Sequence, residues 1–164
     1  MTERATSVGE PSGRGAGTKR RARPDHRIGP EGSGSAERRY PILTGYDGST
    51  ASRRALAYAA GMARRLDRRL VVVYVWRPIG SAVVPLAELM GWLRAELAGV
   101  DLTGLDIEMI VRYGSPAREL RAITAERKAD AIVVGAPERF PHRFAGSVAA
   151  WLARNARCPA VIVP

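Results

Sequence analysis

Asp130-Ala-Ile-Val-Val-Gly-Ala-Pro-Glu-Arg-Phe-Pro-His-Arg-Phe-Ala-Gly-Ser-Val-Ala149 carries the pattern that decides the fold of this chain. Ile132, Val133 and Val134 form a short apolar run closed by Gly135. Val148, Trp151 and Leu152 then recur at i, i+3 and i+4, and the stripe stops at Asn155. A buried strand thus hands over to a short amphipathic helix through a glycine-bounded loop. The first N–H groups of a helix lack intrahelical partners and its dipole is positive there, so an anion at Gly146 and Ser147 would be stabilised. Ser147 is also a residue type preferred as N-cap of its own helix. Taken alone the loop favours that capping role over a ligand, because such turns are common and weakly specific.

Outward from this stretch, length and composition bound what it can belong to. The 164 residues hold one domain with a substantial core plus a tail. Leu70 to Leu93, the most apolar region, is interrupted by Arg77, Pro78, Pro85 and Glu88, so no membrane association is expected. No apolar stretch near the N-terminus points to secretion. Cys158 is the only cysteine, which excludes an intrachain disulfide or a cysteine-rich metal cage, and a reducing, cytoplasmic setting is expected. His26 and His142 do not stand at metal-ligand spacing, so neither a metal site nor a histidine-based catalytic centre is indicated.

The net charge of +10 is spread over the chain: residues 1–39 hold nine Lys/Arg against five Asp/Glu, and residues 40–164 hold seventeen against eleven. Such a field favours anionic partners in general and says nothing about fold. Residues 1–39 contain no Phe, Tyr or Trp and are rich in Gly, Ser, Pro and charge, so they cannot bury enough surface to offset their ordering entropy. They read as a disordered basic tail. Its run Lys19-Arg20-Arg21-Ala22-Arg23 would attract phosphates, but with no aromatic platform a solvated tail is favoured over a nucleic-acid binder.

The domain, residues 40–164, opens on Pro41-Ile-Leu-Thr-Gly-Tyr-Asp47, a short strand. Asp47-Gly48-Ser49 turns it into a helix with Leu56, Ala59, Ala60, Ala63 and Leu66 on the inward face, and Arg53, Arg54, Arg64, Arg65 and Arg68 on a solvated one. Asp47 reads as a turn and capping residue, with a ligand-facing role as the alternative. Leu70 to Val75 is a β-branched run of the kind covered on both faces in a parallel sheet. Beyond a loop with Pro78 and Gly80, a second helix is marked by Leu86, Leu89, Met90, Leu93 and Leu97, with Trp92 as packing. Ile107 to Tyr113 is the third strand. Ser115 and Pro116 open a third helix as N-cap and first helical residue, its inward face being Ala117, Leu120 and Ile123. Pro159 to Val163 is the last strand, and Cys158 before it reads as structural. Five strands alternating with four helices specify a doubly wound α/β domain with a parallel sheet, whose ligands bind beyond the carboxyl ends of the strands. Asp47, Val75 and the loop from Gly135 to Ser147 all fall on that edge.

Ile42 to Ser49, the strand end Val-Tyr-Val75, Tyr113 to Pro116, Ala129 to Gly135, Gly146-Ser147-Val148 and Ala156 to Val163 together resemble the universal stress protein family, over the whole of residues 40–164. The resemblance implies a flavodoxin-like, Rossmann-like sheet of order 3-2-1-4-5, cytoplasmic stress-response roles, and a homodimer formed through the last strand. That dimer is physically reasonable, because an apolar edge invites association. Some members bind ATP and others do not. In the binders the loop resembles Gly, two residues, Gly, nine residues, Gly-Ser, with backbone wrapping the phosphates.

Gly135 matches the first glycine of that loop, and Gly146 and Ser147 match the closing pair. Glu138 replaces the second glycine, and only seven residues separate it from Gly146. Glu138 adds negative charge near phosphate, while Pro137 and Pro141 each remove an N–H. Arg139, His142 and Arg143 offer side-chain contacts in exchange. By resemblance Asp47 serves ribose and adenine, Val75 offers backbone to adenine, and Val148 belongs to the closing motif. The expected cofactor-binding residues are therefore Asp47, Val75, Gly135, Arg139, Arg143, Gly146, Ser147 and Val148. The expected ligand is ATP or AMP, bound weakly or not at all, with Mg²⁺ only if ATP binds. With no general base in sight the expectation is a dimeric binding module, with an unidentified regulatory partner, and not an enzyme; slow ATP hydrolysis and a tail-mediated nucleic-acid or anionic-partner binder are the alternatives.

Overall fold

The computed structural model describes residues 40–77, 84–136 and 148–164. Along them strand and helix alternate: β1 (Ile42–Gly45), α1 (Thr50–Arg65), β2 (Leu70–Trp76), α2 (Leu86–Leu97), β3 (Ile107–Tyr113), α3 (Pro116–Glu126), β4 (Ala131–Gly135), α4 (Val148–Asn155) and β5 (Ala160–Val163). All strand pairs are parallel, and the sheet order is β3-β2-β1-β4-β5, as expected. The tail of residues 1–39, the Pro78 and Gly80 loop, and residues 137–147 lie outside the described residues.

The apolar runs become strands because both faces of the sheet are covered. Ile42, Leu70, Val72, Val111, Ala131 and Val133 pack under α1 and α2. Leu43, Val71, Val73, Ile110, Ile132 and Val134 pack against α3 and α4, whose Leu120, Ile123 and Leu152 complete that core. Alternating residues of a strand serve opposite faces, so a doubly covered strand has no room for an interior polar position. Thr44 is the exception in the central strand, fully buried in the middle of β1, while edge strand β3 buries the charged Glu108 and Arg112.

Three expected placements differ in detail. Leu66 is 47% exposed, because α1 ends at Arg65 and Leu66 is its C-cap, past the last turn of the buried stripe. The arginine face of α1 is not merely solvated: Arg53 pairs with Glu96 of α2 at 2.8 Å, and Arg64 reaches Asp101 at 3.5 Å, tying α1 to the next helix and the loop after it. Ser115 does stand at the N-cap of α3, but its side chain makes no capping hydrogen bond.

The strand register leaves β1 short at its carboxyl end. Gly45, its last residue, is level with Val73, whereas β2 runs on through Tyr74 and Val75 to Trp76. Because β1 stops short between two longer neighbours, a recess opens above it. The recess lies where the strand order reverses between β1 and β4.

Candidate functional site

A cleft of about 340 Å³ occupies that recess, within the size range of small-molecule sites, roughly 300–1,000 Å³. Gly45, Tyr46, Asp47 and Ser49 come from the end of β1 and the turn after it, Val73 and Val75 from β2, and Val134, Gly135 and Ala136 from the end of β4. Ala51 and Ser52 of α1, Pro116 and Leu120 of α3, and Val148 and Ala149 of α4 complete the described walls. The described starts of three helices, α1, α3 and α4, therefore border this cleft, and the positive ends of their dipoles lie near it. Neither α1 nor α4 has an acidic residue in its first turn to neutralise that field.

Asp47 is the one carboxylate among the described lining residues. Its Oδ1 accepts a hydrogen bond from the Ser49 backbone N–H at 3.0 Å, and its own N–H faces the Ser52 hydroxyl at 3.4 Å. Partial burial opposes ionisation of Asp47, but the Ser49 and Ser52 hydrogen bonds outweigh it and hold the carboxyl below its ordinary range. It is an anion at neutral pH, poised to accept hydrogen bonds from ligand hydroxyls or amines. The N-cap is Ser49, whose side chain accepts from the Ser52 N–H at 3.1 Å; Asp47 shapes the turn ahead of the helix. Burial first, and then the same Asp47 charge, push the pKa of Tyr74 on the neighbouring strand up, favouring its protonated phenol.

The glycine at 135 has a steric reason that needs no ligand. A Cβ built there would lie 2.5 Å from the carbonyl carbon and 2.7 Å from the Cβ of Ala51. Such distances are impossible without displacing the start of α1. Gly45 is milder, its Cβ meeting a Leu120 side-chain methyl at 3.0 Å.

Of the residues expected at the site, Asp47, Val75, Gly135 and Val148 converge on this cleft. Arg139, Arg143, Gly146 and Ser147 lie outside the described residues, as do Glu138 and His142. The α3 wall is what the sequence did not reveal. Pro116 and Leu120 reach the cleft because the helix after edge strand β3 crosses back beneath the sheet to β4 and passes the switch point; the Gly114-Ser115-Pro116 turn was its signal. Cys158 is not part of the cleft lining. Its burial and then the charge of Asp130 push its thiol up, which keeps it protonated and inert near neutral pH. No group of His, Cys, Asp and Glu able to hold a metal occurs among the described residues. No helix among the described residues is long and apolar enough to cross a membrane.

A sequence model described as "Universal stress protein family" matches residues 39–164. The Thermus aquaticus "Universal stress protein in QAH/OAS sulfhydrylase 3'region" is 31% identical over 134 residues, spanning 74% of this chain and 96% of that protein. A universal stress protein solved in complex with cAMP superposes with a TM-score of 0.65 at 27% identity, covering 76% of this chain and 97% of the other. The Archaeoglobus fulgidus universal stress protein in complex with dAMP gives 0.61 at 25% identity, covering 76% and 98%.

Proposed function

The chain belongs to the universal stress protein family, and from that premise we propose that its cleft binds an adenine nucleotide and favours a monophosphate over ATP. The observation that carries this reading is the meeting of three helix N-termini and the ionised Asp47 around one recess at the strand-order switch. Val73, Val75 and Val134 offer an apolar slot for a base, and Asp47 stands where ribose hydroxyls would donate. The helix ends suit a single phosphate, held by backbone dipoles and N–H groups. Relatives of similar fold carry cAMP and dAMP, which supports a monophosphate ligand. The preference against ATP rests on sequence: Glu138 in place of a glycine adds charge and a side chain where phosphate would approach, Pro137 and Pro141 each remove an N–H, and the spacing to Gly146 is shortened.

The protein acts by binding and not by turnover. What supports this reading is that Asp47 is the only carboxylate among the described cleft residues and is engaged in its turn by Ser49, so the described residues present no acid–base pair. A thermal-shift series with AMP, cAMP and ATP tests the reading. Stabilisation of about 2.7 kcal/mol is expected at a hundredfold excess over the dissociation constant. AMP should raise the melting temperature at lower concentration than ATP; equal response to an uncharged control such as glucose would sink the assignment.

The working form proposed is a homodimer paired through β5. The two sheet edges differ in a way that supports it. On β3, Glu108 and Arg112 are charged residues within the edge strand, tied to Arg127 at 3.0 Å and Glu126 at 2.7 Å, a pattern that discourages strand addition. On β5, Ala160, Val161, Ile162 and Val163 are uncharged and only half-buried on both faces. An apolar edge of this kind is an association surface.

A further inference from the structure

The turn that presents Asp47 is held by a helix that does not line the cleft. Glu96, in the last turn of α2, accepts two hydrogen bonds on the same oxygen: from the Tyr46 hydroxyl at 2.7 Å and from Arg53 Nη2 at 2.8 Å. Tyr46 immediately precedes Asp47, and Arg53 lies in the first turn of α1. One carboxylate thus bridges both ends of the segment that contains Asp47 and the N-cap Ser49. Between these ends Gly48 adopts φ +81°, and a Cβ on it would meet the Trp92 ring at 3.2 Å. Trp92 in turn packs at a tilt of 45° against Tyr74, ring centroids 4.7 Å apart.

An exposed Arg–Glu pair alone is worth little. Here the shared acceptor changes the balance, because Tyr46 is 3% exposed and its hydroxyl gives its hydrogen bond to Glu96. Trp92 lies against the one residue of the turn whose backbone conformation most restricts substitution. Yet 36% of its own surface stays open to solvent.

We infer that Glu96 and Trp92 are positioning residues of the cleft: they fix the 46–53 turn from behind, so that the placement of α2 sets how well Asp47 and Ser49 meet a ligand. This rests on the reading of the cleft as an adenine-nucleotide site. It makes α2 the element through which a partner touching its outer face would alter ligand affinity without entering the cleft.

The test uses the full chain, with Glu96→Ala, Trp92→Ala, Trp92→Phe and, as a control on the same helix, Glu88→Ala. Amide exchange across residues 46–53 is followed alongside AMP affinity by calorimetry, and residues 107–113 of β3 report the intactness of the fold. Loss of the shared charge-assisted contact should speed exchange in 46–53 and weaken AMP by about tenfold each. Exchange in β3 should not change. Trp92→Phe should recover most of what Trp92→Ala loses, and Glu88→Ala should match wild type. Unchanged exchange in the turn overturns the inference, and so does faster exchange with unaltered AMP affinity, which would make the contacts merely structural. If wild type itself binds no AMP, the nucleotide reading fails separately, and the hold of α2 on the turn stands or falls by exchange alone.

Discussion

Gly135 at the end of β4 is pressed so closely on Ala51 that a Cβ would sit 2.5 Å from the Ala51 carbonyl carbon. The strand and the first turn of α1 therefore share one wall of the cleft, and the gap between them exists only for glycine. Gly135→Ala should destabilise the protein by about 2 kcal/mol or more and distort the cleft, as overpacking against backbone does. Gly91, exposed inside α2 with nothing within 4 Å of its Cβ position, is the contrast. Gly91→Ala should gain roughly 0.5–1 kcal/mol from helix propensity. Urea unfolding of the two variants checks both signs at once.

Thr44 lies fully buried in β1 with its hydroxyl lacking a hydrogen-bond partner. Thr44→Val keeps the branched shape and removes the stranded oxygen. It should stabilise by about 1 kcal/mol, read as a higher denaturation midpoint with unchanged slope. A loss of stability would mean that the hydroxyl is satisfied.

Tyr46 gives the protein an alkaline limit. Burial first, then the hydrogen bond to Glu96, raises its ionisation above the ordinary value, so the fold favours the protonated phenol. That stabilisation is fully present below about pH 10, the unfolded value, and is lost as pH rises through the folded value. Unfolding midpoints measured from pH 8 upward should therefore fall beyond about pH 10. In Tyr46→Phe the fall should be shallower, with Tyr74, raised mainly by burial, supplying the rest.

The dimer is tested at its edge. Val161→Lys places a charge on half-buried β5 without touching the cleft. Light scattering should show wild type at twice the chain mass and the variant at the chain mass, with the melting temperature of the variant becoming independent of concentration. A wild type that is monomeric at all concentrations contradicts the β5 pairing.

Much of the fold was readable in the sequence, for physical reasons that can be named. Leu70–Val75 and Ile132–Val134 announce buried parallel strands because a doubly covered strand tolerates only apolar residues, and the sheet order came from the family resemblance. Asp47, Val75 and Gly135 could be placed on one edge because strand ends meet at the switch point whatever the side chains, whereas Val148 came from the family resemblance. Leu66 was misplaced because periodicity does not show where a helix stops. The α3 wall had only the Gly114-Ser115-Pro116 turn as a signal, and the Glu96–Tyr46–Arg53 bridge had none, since contacts 43 and 50 residues apart leave no local trace. The reason for Gly135 was legible only in part: the family likeness suggested phosphate, whereas the structure shows Ala51.

Calorimetric titration of the full-length chain with AMP and with ATP, repeated in Asp47→Ala, decides whether the cleft is a monophosphate site. Saturable one-to-one binding of AMP is predicted, with weaker binding of ATP in the presence or absence of Mg²⁺. The variant should lose AMP binding, with its unfolding free energy lowered by about 1 kcal/mol through loss of the Ser49 contact. No AMP heat at about 1 mM ligand, the weak end of specific affinity, or AMP binding untouched by Asp47→Ala, would contradict the assignment.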